Sequence, residues 1–255
     1  MKTQIRQLKV DQTSVDPEGL YGSYPRIRLQ GKWLSNLGFS TGDSVNVLCN
    51  TNQIIISRNG HQPDWAKLAI LAHAARAIEV ALAGKHSIKF IGHPEYVFDY
   101  ATYCQGAGLE AHAFQPCPCG HYSDYLEECT CKVKEIQAHQ GQINRIQADM
   151  TIDIPRPDPN CIQDFMLHKL HIETEDKMLE RVTSANSLDT DIPLELPKEC
   201  EGLMGAAIKQ LHLSLKECDC VLRVARTIAK LEGQEKIKTH HLAEALQYGR
   251  QHINN

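Results

Sequence analysis

The pattern of apolar and polar positions along this 255-residue chain differs before and after residue 60. Before that point the pattern is short and strand-like. Val45, Val47, Ile54 and Ile56 alternate as half-buried strands do, so strands are expected at 5–10, 26–29, 44–49 and 53–57. Gly42-Asp43 and Asn50-Thr51-Asn52 supply turn chemistry, and residues 31–39 read as one or two helical turns. Four small strands make a thin core, which two copies can thicken by pairing. Asn59-Gly60-His61-Gln62-Pro63 reads as a linker. After it the period becomes helical. Leu68, Leu71, Ala75, Ile78 and Leu82 form the stripe of a helix expected over 65–83, capped by Asp64 and stopped at Gly84. Strands follow at 88–91, 109–114 and 150–154, with helices between them at 97–103 and 133–146, and Pro155, Pro157 and Pro159 close the series. Residues 162–182 are weakly helical, 183–197 read as a polar loop, and helices are expected at 199–211, 215–231 and 239–252.

An apolar fraction of 42% is enough for real cores, and the net charge of −4 is unevenly spread. Residues 1–60 carry seven lysines and arginines against four carboxylates, a balance of +3 that leaves −7 for the remainder. A basic front on an acidic body points any polyanion contact to the N-terminal part, solvated charges with no partner being the other reading. The start lacks a basic and apolar signal pattern, and the richest apolar run, 66–83, is broken by His73, Arg76 and Glu79. A cytoplasmic protein without a membrane partner is expected. In that compartment ten cysteines read as metal ligands where clustered and as core where scattered.

The clustered set is Cys117, Cys119, Cys129 and Cys131, spaced C-x-C-x9-C-x-C. Two close pairs joined by a loop can converge on one structural zinc, with His112 or His121 as a substitute ligand; unliganded thiols and disulfides are the other readings. Cys218 and Cys220, two apart on a helix, point to different faces and read as core or boundary residues. In the basic front, Arg26 and Arg28 alternate with Ile27 and Leu29, so both guanidinium groups leave one strand face, with Lys32 and Trp33 just beyond. Charge for phosphates and a ring for stacking suit single-stranded RNA, although Trp33 beside Leu34 and Leu37 also reads as core. No catalytic residue can be named, because residues 1–60 contain no histidine and Asp43 sits in a turn. Residues 88–94, Ile-Lys-Phe-Ile-Gly-His-Pro, begin like a buried strand entering a phosphate-binding loop, yet the glycines and the Lys-Ser/Thr pair that such a loop needs do not follow.

Two family resemblances cover most of the chain. Tyr24-Pro25-Arg26-Ile27-Arg28-Leu29-Gln30-Gly31-Lys32-Trp33-Leu34, with Leu37-Gly38-Phe39 and Gly42-Asp43-Ser44-Val45, resembles the SymE toxin family, which is related to AbrB-like swapped-hairpin folds. That resemblance implies a dimeric module of toxin–antitoxin type that binds RNA and is classed with RNA-cleaving toxins. From Trp65 the chain is similar to ComM and magnesium-chelatase type ATPases. The carriers are Ala83-Gly84-Lys85-His86, Ile91-Gly92-His93-Pro94, Pro116-Cys117-Pro118-Cys119-Gly120 with Cys129-Thr130-Cys131, and the lid motifs at 222–229 and 241–248. Aligned on Gly92, Phe98 stands where that family has its phosphate-binding lysine, and Asp99 stands at its magnesium-coordinating hydroxyl. Gln147 and Lys216 fall at two of its arginines, and the span carrying its acidic strand end is missing. The resemblance therefore implies a scaffold without ATP as cofactor.

The expected architecture is α+β in three parts: a small β-rich AbrB/SymE-like module at 1–60, a degenerate AAA-like α/β remnant with a cysteine knuckle at 64–160, and an α-helical lid at 161–255. The expected function is toxin-type RNA binding, with RNA cleavage implied by resemblance. The alternative is a nonenzymatic adaptor whose body docks on a protein partner, such as an active ATPase, while the front dimerises or binds DNA.

Overall fold

The computed structural model describes residues 9–12, 25–36, 39–50, 53–58, 63–187 and 195–249. The chain divides into two compact units, Met1–His61 and Gln62–Asn255. In the first, β1 (Asp11–Gln12) pairs antiparallel with β2 (Pro25–Arg26), α1 spans Lys32–Asn36, and β3 (Val45–Asn50) and β4 (Gln53–Arg58) form an antiparallel hairpin with Val47 opposite Ile56. The hairpin stands where alternation placed it. The strand expected at 26–29 is shorter, and of the one expected at 5–10, residues 5–8 lie outside the described residues while Lys9 and Val10 are not in a strand. Burial departs further from expectation: Val45, Val47 and Ile54 are 43%, 52% and 53% exposed instead of half-buried. Among the residues of this unit whose burial is described, none is buried.

The second unit opens with α2 (Trp65–Leu68) and α3 (Ala72–Gly84). Asp64 caps α2 as expected, its Oδ1 accepting from Ala66 N at 3.1 Å. The single helix expected at 65–83 is nevertheless broken at 69–71. At the break the Leu68 carbonyl accepts from Leu71 N at 3.3 Å and from the buried Tyr100 hydroxyl at 2.8 Å, and the Trp65 indole anchors the segment by donating from Nε1 to Glu173 O at 2.9 Å. The break shifts the helical phase, and the deeply buried positions of α3 become Ala74, Ala77, Ile78, Val80 and Ala81.

There follow β5 (Ile88–Gly92), α4 (Val97–Gly106), β6 (Ala111–Phe114), α5 (Val133–Ile143) and β7 (Met150–Ile154). The strands form one parallel sheet in the order β6-β5-β7. Ile88 and Phe90 of β5 enter the large core, while Ile91 packs on the other face with Phe114 and Ile143. Complete burial of a side chain such as Phe90 contributes about 1.5–3 kcal/mol. At the end of β5 the strands approach closely. A Cβ on Gly92 would lie 1.9 Å from the Ile154 carbonyl oxygen, and that oxygen accepts from His93 N at 2.8 Å. Only glycine fits there.

The remainder is helical: α6 (Pro159–Met166), α7 (Glu175–Ser187), α8 (Lys198–Leu211), α9 (Leu215–Leu231) and α10 (Thr239–Gln247). The weakly helical stretch resolves into α6 and α7, and α7 extends into the segment expected to be loop. Part of the expected last helix, 250–252, lies outside the described residues. Ser214 and Glu217 form a capping box at the start of α9, whose Val221, Val224, Ala225 and Ile228 are buried in the same core as Ile78 of α3. The second unit is thus a mixed structure of helices around a small parallel sheet, and the swapped-hairpin form expected of the first remains an expectation. No helix among the described residues is long and apolar enough to cross a membrane.

Candidate metal centre and the closed end of the sheet

Between β6 and α5 the chain makes a knuckle that brings Cys117, Cys119, Cys129 and Cys131 together, with all four sulfurs within 4.8 Å of one another. The Cys117–Cys119, Cys119–Cys129 and Cys117–Cys129 separations are 3.4, 3.6 and 3.7 Å. Sulfurs held about 2.3 Å from a tetrahedral zinc are about 3.8 Å apart, so the four residues fit that ion as they stand. Cys119 N donates to Cys131 Sγ at 3.3 Å. Burial pushes the Cys117 thiol up to about 12. Burial also opposes ionisation of Cys119, but backbone bonds from His121 and Thr130 hold it down at about 6. A thiolate is therefore available at neutral pH to begin ligation. Neither expected substitute ligand is needed: His112 lies on β6 with Nε2 3.3 Å from Glu110, and His121 faces a different cluster.

That second cluster contains His93, His121, Asp124 and Glu127, but its centre is filled by Arg156. Arg156 Nη2 lies 2.8 Å from His93 Nε2, 2.9 Å from Asp124 Oδ2 and 2.8 Å from Glu127 Oε1, where an ion would have to sit. The guanidinium is the resident cation. Burial would raise the Asp124 carboxyl, but the hydrogen bonds from Arg156 hold it down at about 2. A third group, Glu232, His240 and His241, is set by helix capping: Lys238 N donates to His241 Nδ1 at 2.9 Å, so Nε2 carries the proton and donates to Glu232 at 3.0 Å. No lone pair of His241 is left for a metal.

Phe98 and Asp99 lie in the first turn of α4, directly after β5. Phe98 packs against the core, and its carbonyl accepts from Thr102 Oγ1 at 2.8 Å, so the position holds an apolar ring. Gln147 and Lys216 are brought together: Lys216 Nζ donates to Gln147 Oε1 at 2.8 Å. Cys220 Sγ lies 3.3 Å from the Asp149 carbonyl and Cys104 is buried, as boundary and core thiols should be.

In the first unit, Arg26 Nε and Nη2 each donate to the Asp11 carboxylate at 3.0 Å. Arg28 and Lys32 are exposed, and Trp33, intermediate in exposure, donates from Nε1 to Gln30 O at 2.9 Å. Sequence reasoning did not foresee the pairing of Arg26 with Asp11, because it depends on the register of β1 against β2. The His93–Asp124–Arg156 group was also missed; an arginine held between Pro155 and Pro157 at a strand end was the available signal.

Residues 171–249 match the family model "Magnesium chelatase, subunit ChlI C-terminal", and residues 6–58 match "Toxin SymE, type I toxin-antitoxin system". Over 157 residues, 53% of this chain, the sequence is 26% identical to the uncharacterized protein YifB of Salmonella typhimurium, and over 156 residues it is 25% identical to the competence protein ComM of Haemophilus influenzae. It is 36% identical over 63 residues to the endoribonuclease SymE of Salmonella choleraesuis. The aligned part spans 29% of the length of each of the first two relatives and 56% of the third. Residues 6–58 are thus similar to the SymE toxin family, and residues 171–249 to the C-terminal part of the magnesium-chelatase subunit.

Proposed function

We propose that this chain is a toxin-type RNA-binding protein whose N-terminal module contacts single-stranded RNA, dimerises through its apolar hairpin face, and is carried on an ATPase-derived body that has lost nucleotide binding and holds one structural zinc. The observation that carries the reading is the 36% identity to an endoribonuclease over a segment whose Arg28 and Lys32 stand exposed. RNA cleavage is proposed from that relative's name, and nothing in residues 1–60 supplies a histidine for it.

Because Arg26 is paired with Asp11, Arg28 and Lys32 are the cations of the 26–33 segment that face phosphates. The test is fluorescence anisotropy of the full-length protein with unrelated single-stranded RNAs at several salt concentrations. Arg28→Ala with Lys32→Ala weakens binding to all sequences alike and flattens the salt slope by roughly 0.7 per lost phosphate contact. Asp11→Asn frees Arg26 and tightens binding. Equal affinity and slope for parent and double variant would refute the RNA reading.

One observation favours a second reading, that of an adaptor. Helix α6 has no buried residue and exposes Ile162 and Met166, so the body offers an apolar face suited to a protein partner.

A further inference from the structure

The sheet order β6-β5-β7 has a topological consequence. The chain leaves β5 for β6 on one side and later returns to β7 on the other, so the carboxyl ends of β5 and β7 flank a switch point. In open parallel sheets that is where ligands enter. Here both strand ends are covered by the cysteine knuckle. Gly120, beside Cys119 and at φ +88°, lies so close to the loop after β5 that a Cβ on it would be 2.8 Å from Pro94 Cγ. Asp124, with a side chain 3% exposed, reaches His93 beyond β5 at 3.1 Å and Arg156 beyond β7 at 2.9 Å. Tyr125 donates its hydroxyl to Pro157 O at 2.9 Å. One loop thus holds both strand ends.

We propose that the knuckle is a metal-locked plug: ligation of the four thiolates fixes the loop that carries Asp124, and Asp124 fastens it to His93 and Arg156 over the ligand crevice. This rests on the zinc reading above. The loop between the two cysteine pairs is mostly polar, and Leu126 is 63% exposed, so it has little apolar burial of its own to keep it seated. With the ion removed, the fastening depends on a few polar contacts around one carboxylate. Sulfur ligation and crevice closure are therefore a single cooperative unit, and ordinary loss of side chains at the old phosphate loop is reinforced by physical occlusion.

The experiment is hydrogen–deuterium exchange of the full-length protein under reducing conditions, with the metal content measured on the same sample. As-purified protein is compared with chelator-treated protein and with Asp124→Asn. Amides of 93–98 are expected to exchange at least about tenfold faster after chelation, and also in Asp124→Asn with its metal retained, while β5 and α9 stay protected and report that the fold persists. Metal present in the purified protein with unchanged exchange at 93–98 after its removal overturns the plug alone. Metal absent from the purified protein overturns the zinc reading and the plug with it. A metal-loaded Asp124→Asn protein that exchanges like the parent shows that the carboxylate is not the fastening and overturns the proposal.

Discussion

His86 makes the body sensitive to acid, and the size of the effect follows from its surroundings. It lies in the turn between α3 and β5, 4% exposed, with Nε2 2.8 Å from the Thr227 hydroxyl of α9. Burial is the first cause of its depressed pKa of about 4, with Arg223 adding to the depression and Asp149 opposing it. In the unfolded chain an imidazole titrates near 6.5. The folded protein therefore keeps His86 neutral while the unfolded chain takes up a proton, so stability is full above pH 6.5 and is lost as pH falls toward 4. The loss approaches about 1.4 kcal/mol per pH unit, or about 2 kcal/mol between pH 7 and pH 5 and about 3 kcal/mol by pH 4.

The perturbation is His86→Gln, which removes the titrating group while leaving a polar side chain near Thr227. Urea unfolding followed by circular dichroism at pH 7 and pH 5 measures it. The variant loses about 1 kcal/mol at pH 7 from its poorer hydrogen bond. Its further loss on going to pH 5 is smaller than the parent's by about 2 kcal/mol. Groups that titrate in this range elsewhere are common to both proteins and cancel in the difference. Parallel pH dependence of parent and variant would refute the reasoning.

Metal analysis of protein purified without added metal should give about one zinc per chain, and Cys129→Ser should lose both the ion and thermal stability; a variant keeping both refutes the centre. Isothermal titration with ATP and magnesium should show no binding, and a dissociation constant of about 1 μM, equivalent to about −8 kcal/mol, would contradict the loss of the nucleotide site. Light scattering should find the full-length protein dimeric, and Val47→Asp with Ile54→Asp should make it monomeric; an unchanged dimer would place the interface elsewhere.

What the sequence made legible depended on the range of the forces involved. Strand β7 and helix α9 were readable to the residue because each combines a continuous apolar pattern with a local stop or start, Pro155 after β7 and the Ser214–Glu217 capping box before α9. Periodicity alone could not show the break at 69–71, since the hydroxyl that captures the Leu68 carbonyl belongs to Tyr100, 32 positions away. The cysteine quartet was legible because ligand spacing is a local constraint. The arginine that fills the neighbouring cluster was not, because its partners come from two loops distant in sequence, the one after β5 and the knuckle, and its setting between Pro155 and Pro157 does not say which residues it meets.

The two units solve the problem of a small core in different ways, and this bears on how the fusion works. The body encloses a core that includes Phe90, Ile228 and Leu242, all fully buried, and can stand as a folded unit. The N-terminal unit shows no buried residue among those whose burial is described and leaves Val45, Val47 and Ile54 exposed. An isolated two-stranded hairpin is marginal in water, which is the physical ground for the proposed pairing of two copies. If two chains pair through those hairpins, Arg28 and Lys32 of both copies are gathered on one assembly and the cation count available to a single RNA strand doubles. RNA affinity then depends on protein concentration, and the hairpin variants that abolish the dimer should weaken RNA binding without touching a basic residue. Unchanged RNA affinity in a proven monomer would separate the two properties and leave dimerisation without a role in binding.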